Sequence, residues 1–161
     1  MQNKISHDSE VPARGQQVIT ACAFIFHDFD GVKKVFAPRR AKTKKFLPDV
    51  FELPGGHIEY GEDIIDGLKW EIKEEFEMEI EVGEPFFVFT YINEIKGTHS
   101  IEVIYQAQFQ GDIKNVRINP EDHSEYLWLT KEELPRAYTE NKKETDPEFQ
   151  AIRKGFEKIT R

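Results

Sequence analysis

Residues 51–78 (FELPGGHIEYGEDIIDGLKWEIKEEFEM) limit the fold more than any other stretch of the chain. Pro54 fixes its own φ and closes the apolar run before it. Gly55 and Gly56 lack a Cβ, so they read as a turn that can take φ > 0 and let another group come close to the backbone. Residues 61–77 hold no proline. At about 100° per residue, Ile65, Leu68, Ile72 and Phe76 share one face, so this segment reads as an amphipathic helix with Glu62 and Asp63 in its first turn. Glu71, Glu74 and Glu75 stand at i, i+3 and i+4 and project together from a neighbouring face. Each like-charge pair at that spacing costs about 0.2–0.5 kcal/mol even in a solvated helix. A cation relieves the repulsion, and hard divalent ions such as Mg2+ take carboxylate oxygens together with substrate phosphates.

Charge is spread unevenly around this stretch. Residues 59–81 carry ten acids and two lysines, whereas residues 33–45 carry seven bases (Lys33, Lys34, Arg39, Arg40, Lys42, Lys44 and Lys45) and no acid. An acidic segment able to hold cations thus follows a basic one able to hold phosphates; two solvated faces of opposite sign give the same pattern. The net charge of −8 runs against binding a nucleic-acid duplex, which calls for clustered Lys and Arg. A hydrophobic share of 39% with thirteen Phe suits a packed core, and the length suits one domain over 1–161, with 1–16 a loose leader. Cys22 is the only cysteine; it excludes an internal disulfide and reads as a small core residue in a reducing compartment. With no signal-like apolar region and no run of spanning length, the expectation is a cytoplasmic protein that does not enter a membrane.

The remaining elements follow from local pattern. Residues 18–27 are a near-continuous apolar run suited to a buried strand, and a DFDG turn returns the chain into a second strand over 32–37. Residues 49–53 lead into the glycine turn as a short strand. After the helix, 78–82 alternates, 86–92 (FFVFTYI) reads as a strand, 93–97 as a turn, and 100–109 as the returning strand. Residues 111–123 read as a loop and 125–129 as a short strand. Thr130 and Glu133 have capping-box spacing, and Asp146–Pro147 reads as the N-cap and first residue of a helix over 148–159. Strands and helices mixed in this order predict an α/β (α+β) sandwich, helices on a mixed sheet.

The spacing from Gly56 through Glu62 to residues 70–78 resembles the signature box of the Nudix hydrolases: Gly, five positions, Glu, seven positions, then Arg-Glu-apolar-any-Glu-Glu-any-Gly-apolar. The flanking ELPGG of residues 52–56 and the acidic segment and Trp strand of 121–129 are similar to the family as well. Two positions depart from it: Trp70 stands at the Arg and Glu77 at the second Gly. The resemblance implies a Nudix-type α/β/α sandwich that hydrolyses a nucleoside diphosphate linked to another group, with Mg2+ or Mn2+ as cofactor. It implies Glu71, Glu74 and Glu75 as metal ligands with the Gly55 carbonyl as a further candidate, and Glu62 as the carboxylate that orients them. The general base then lies among Glu71, Glu121 and Glu125. Arg39 and Arg40 are placed on the phosphate side, because Arg engages phosphate bidentately. The partner is a small nucleotide, and a homodimer is a further expectation from the family.

Tryptophan cannot make the salt bridge of the Arg it replaces, having one N–H donor. The glutamates then lose a positive neighbour, which raises carboxyl pKa values and leaves open a Nudix-fold binding or regulatory module with weak turnover. His57, His99 and His123 fall in turns or at strand starts and read as solvent-facing. Trp128, Phe86, Phe87 and Phe89 read as core rather than as base-stacking platforms. Residues 93–96 carry no Pro or Tyr marker of a particular Nudix substrate.

Overall fold

The computed structural model describes residues 14–160. Six strands form its sheet: β1 (Gln17–Phe29), β2 (Val32–Arg40), β3 (Gly55–Ile58), β4 (Ile80–Asn93), β5 (Thr98–Phe109) and β6 (His123–Leu129). Helix α1 (Ile64–Phe76) lies between β3 and β4, and α2 (Pro147–Ile159) follows β6. The main order is β4-β5-β1-β2-β6, with β3 also on β1. The β1–β5 pair is parallel and the others are antiparallel, so the sheet is mixed.

β1 is central because it changes partner along its length. Its first half, Ile19 to Cys22, pairs with β3, and its last four residues, Phe26 to Phe29, pair with β2. Between these halves the chain of residues 50–54 is sewn in by backbone bonds, Arg40 N to Val50 O (2.8 Å), Glu52 N to Pro38 O (3.0 Å) and Ala23 N to Pro54 O (2.8 Å). That seam carries Arg40 and Glu52 into the interior.

Alternation on β1 sends its side chains to two cores. Phe24 meets Phe86 and Phe156 at ring-centroid distances of 5.9 and 5.3 Å on the α2 side. On the other side Phe36 of β2 touches Phe76, Phe109 and Tyr126, each at 5.1 Å, which fixes the C-terminal end of α1. The result is the α/β/α sandwich, with Phe86, Phe87 and Phe89 packed on the α2-side core as the pattern implied and Trp128 on the other.

Several local expectations change. Residues 55 and 56 do not form a turn with positive φ; they begin β3, whose four residues are too short and too glycine-rich to show alternation. Residues 80–82 and 86–92 belong to one strand, β4, bent by register shifts on either side of Pro85, while residues 78–79 precede it outside any strand. The short strand expected over 49–53 is a single bridge between Phe51 and Arg39. Most of the loose leader, residues 1–13, lies outside the described residues. Its last residues are tied down: Gly15 N bonds Gly97 O at 2.8 Å and His99 N bonds Gln16 O at 3.0 Å. The Thr130–Glu133 box forms reciprocally at 3.2 Å and opens a 3-10 turn, Leu134–Ala137, rather than an α-helix. Asp146 caps α2 with Pro147 in its first position. Among the described residues no helix is long and apolar enough to cross a membrane.

Candidate active site

The site is built on α1. Its N-cap is Asp63, whose Oδ1 accepts from the backbone of Ile65 and Asp66 at 3.0 Å. Glu62 therefore stands before the helix, not in its first turn, and its Oε1 accepts from Glu59 N at 3.1 Å. Gly67 makes this possible: a Cβ there would lie 2.7 Å from Glu62 Oε1. The sequence reading missed Gly67; a glycine inside a helix, at a cost of about 1 kcal/mol, was the available signal.

One turn further on, Glu71 is 4% exposed and lies against β3. A Cβ on Gly56 would come within 2.7 Å of Glu71 Oε1. Gly56 thus serves close approach of a side chain, as anticipated, without any unusual φ. A Cβ on Gly55 would strike the backbone of Ala21, so β3 can pair with β1 there only through glycine.

Glu74 is exposed and Glu75 half-buried, both on the rim of a cleft of about 480 Å³ walled also by Lys73, Arg117 and Asn119. Burial pushes the Glu75 carboxyl well above its ordinary range; Glu52, Glu71 and Asp122 add to this, and Arg40 pulls the other way. Glu75 Oε2 is buried with no hydrogen-bond donor among the described residues. Repelling carboxylates with an orphaned buried oxygen and only oxygen donors fit a hard divalent cation.

Arg40, not residue 70, is the cation whose charge reaches Glu75, and its effect is smaller than that of the neighbouring carboxylates. Trp70 is 45% exposed, while Arg40 is buried with its NH1 3.2 Å from Glu52 Oε1 and its Nε donating to Phe46 O at 3.1 Å. Glu52 Oε2 is 2.7 Å from Nε2 of His123, whose ring stacks on Phe76 at 5.0 Å. The expectation that His57 and His123 face solvent is therefore wrong: they are 3% and 1% exposed. Their burial depends on β1, α1 and Glu52, none of them adjacent to His123 in sequence.

The basic segment is largely neutralised. Arg39 lies between Asp49 (3.0 Å) and Glu125 (3.4 Å) and over the Phe51 ring, and Lys44 holds Asp122 at 2.8 Å. Arg39 remains at the surface; Arg40 points inward. Glu121 is exposed in the turn before β6, next to Asp122, and Glu125 follows on β6. The fold thus brings together Glu71, Glu75, Arg40 and the 121–122 turn, and leaves Glu125 on Arg39.

A second cluster was not anticipated. Cys22, Glu102 and Glu148 present ligand atoms all within 4.8 Å of one another and are all buried. Lys142 supplies the compensating cation: its Nζ lies 2.6 Å from Glu148 Oε1. Burial is the largest influence and works against its charge, but Glu148, Asp146 and Glu52 together outweigh it and leave its pKa above the ordinary value.

The fold and the acidic helix define an α/β/α protein with a carboxylate-lined cleft beside α1. The NUDIX domain pattern matches residues 17–149, most of the chain, and the protein belongs to the NUDIX family. Over 75 residues it is 32% identical to the m7GpppN-mRNA hydrolase NUDT17 of Bos taurus, an overlap of 47% of this chain and 24% of that protein; the chain therefore matches about a quarter of that relative's length. In fold it is similar to the MutT NUDIX hydrolase of Burkholderia pseudomallei (TM-score 0.65, 23% identity, 89% of this chain and 98% of that one). The MutT protein of Methanosarcina mazei Go1 gives a TM-score of 0.68 at 20% identity over 95% and 99% of the two chains.

Proposed function

We propose that this protein is a divalent-metal-dependent pyrophosphohydrolase acting on a nucleoside di- or triphosphate derivative. The observation that carries the reading is the buried, donorless Glu75 oxygen beside Glu52, Glu71 and Asp122, within a chain of the NUDIX family. Glu71, Glu74 and Glu75, with the Gly55 carbonyl, would hold Mg2+ or Mn2+. The ion would neutralise charge developing on the diphosphate and acidify a bound water.

The protein's own residues do the rest. Gly56 and Gly67 leave room for Glu71 and Glu62, and Glu62, fixed on the Glu59 amide, orients the start of the helix. Water attacks phosphorus and the P–O–P bond breaks, with its bridging oxygen leaving on the other phosphate. The proton of the attacking water passes to a carboxylate. Glu125 is engaged by Arg39 and Glu71 is on the buried floor, so Glu121, on the turn whose Asp122 acts on Glu75, is the base we assign. Arg39 is the phosphate-side arginine; Arg40 instead steadies Glu52 and the charge on Glu75. The lone buried thiol fits a reducing, cytoplasmic setting.

The test is turnover of a panel of nucleoside diphosphate derivatives with Mg2+ or Mn2+, followed by chromatography of the phosphate products. Glu74→Gln and Glu75→Gln should each lower kcat at least about 100-fold, since such charge stabilisation is worth several kcal/mol. Binding without product from any panel member, with turnover appearing in Trp70→Arg, would instead identify a binding module.

A further inference from the structure

The cleft beside Glu74 and Glu75 has a second wall of opposite character. The loop between β5 and β6 contributes Arg117, Ile118 and Asn119 to the same space of about 480 Å³, a size typical of small-molecule sites. Val116 is buried and Ile118 packs on the α1-side core, while Arg117 between them is exposed. The backbone N–H of Arg117 donates to Phe76 O at 3.1 Å. Main chain therefore meets the end of α1 there, and the guanidinium is not needed to cap that carbonyl.

Arg39, Arg40, Arg136 and Arg153 each hold a carboxylate. The Arg117 guanidinium has no hydrogen bond or ion pair among the described residues, although Glu74, Glu75 and Glu77 line the same cleft. Asn119 is oriented by its own loop. Its Oδ1 accepts from Glu121 N at 3.0 Å, so its NH2 is turned away from that bond, and this NH2 has no acceptor among the described residues. Asn119 O accepts from the backbone of Asp122 and His123 at 2.9 Å, and Pro120 restricts the conformation of Asn119 before it. A guanidinium fork and an amide donor thus stand on one wall and carboxylates on the other. That arrangement suits an anion shared between N–H donors and a cation.

We propose that Arg117 and Asn119 form a subsite for an unesterified terminal phosphate of the substrate. This rests on the pyrophosphohydrolase reading given above and adds the substrate class to it: a nucleotide whose phosphate chain ends free, rather than one whose diphosphate is esterified at both ends. The number of oxygens decides between the two. An internal phosphate has two non-bridging oxygens, and the fork of Arg117 takes both, leaving none for a cation on the opposite wall. A terminal phosphate has three, enough for the fork and the cation together, with lone pairs left for the Asn119 amide. Lys73 does not replace the arginine, because it is tied to Glu79 at 3.2 Å and is a point charge without a fork.

The experiment is calorimetric titration of the whole chain, with a chelator and no divalent ions, using inorganic pyrophosphate and its symmetric dimethyl ester. Neither compound carries a nucleoside and no metal is present, so the result is independent of turnover. A subsite found in a protein that hydrolyses no nucleotide would count against the hydrolase reading alone. Pyrophosphate should bind about ten-fold tighter than the diester or more, as the gain of charge-assisted hydrogen bonds implies. Arg117→Met should remove most of that preference, and Arg117→Lys should resemble it more than the wild type, having charge without a fork. Asn119→Asp keeps the oxygen that holds Glu121 N and should also weaken pyrophosphate binding. Both side chains are exposed, so these changes leave the core untouched. Failure of the wild type to bind pyrophosphate overturns the proposal, as do equal affinity for the two compounds and a preference that survives Arg117→Met. Full wild-type affinity in Arg117→Lys overturns it too, since a point charge would then suffice.

Discussion

Glu77 ends α1 in the left-handed conformation, at φ 55° and ψ 33°, with its N–H bonded to Lys73 O at 2.9 Å. The family pattern has glycine here. The turn is kept, and Glu77 bears the strain itself. An L-residue in this region costs about 1–2 kcal/mol through the clash of its Cβ. Glycine removes that cost but loses about 0.5–1 kcal/mol more conformational freedom on folding. Removing a carboxylate from the negative end of a helix adds about 0.3 kcal/mol. Glu77→Gly should therefore stabilise the protein by about 1 kcal/mol, raising Tm by about 2–4 °C for a chain of this size. Urea unfolding of the wild type, Glu77→Gly and Glu77→Ala separates the contributions, because alanine removes the charge and keeps the Cβ. Glycine should exceed alanine by most of the gain. A glycine variant no more stable than the alanine one would refute the reasoning, since backbone strain would then contribute nothing.

Other expectations follow from the site and its supports. Gly56→Ala drives a methyl group into Glu71; it should cut kcat by about 100-fold with a smaller effect on KM, as loss of a transition-state contact does, read by steady-state kinetics with Mg2+. Arg40→Met leaves the half-buried Glu52 without its guanidinium and should cost about 2 kcal/mol in urea unfolding; an unchanged midpoint would show that His123 alone suffices. Lys142 has a folded-state pKa raised above 10.5, so its stabilising contribution is full below pH 10.5 and fades as pH rises through the folded value. The stability gap between wild type and Lys142→Met should accordingly be flat from neutral pH to about pH 10 and narrow beyond it, measured by urea titration at each pH.

The legible parts of this chain were those set by neighbours in sequence. β1 and the β1–β2 hairpin, the amphipathic face of α1 and the caps at Thr130 and Asp146 all follow from spacing within a few residues. So did the Glu71, Glu74 and Glu75 ladder. What escaped were pairings across long distances. The inward turn of Arg40 needs Glu52, and the burial of His123 needs both Glu52 and Phe76. The Glu102–Glu148–Lys142 cluster joins β5 to α2 and the loop before it, and nothing local in EVIYQ marks Glu102 as interior beyond alternation on a strand. Gly55 and Gly56 were recognised as points of close approach, but strand pairing through them depends on β1.

The parallel register of β1 on β5, running from Gln17 opposite His99 to Ile25 opposite Ala107, sets an order of events in time. The partners are separated by roughly 80 residues, and closing so long a loop is slow because its entropy cost precedes its contacts. β1, β2, β3 and α1 are contiguous in the first half of the chain and can meet while the ribosome is still adding β4 and β5. The carboxylate helix can therefore assemble on a sheet whose central strand still shows one apolar, unpaired edge. Until β5 arrives, that edge is open to the same strand of another nascent copy. Substitutions that weaken β5 pairing should thus lower soluble yield well before they disturb the finished site.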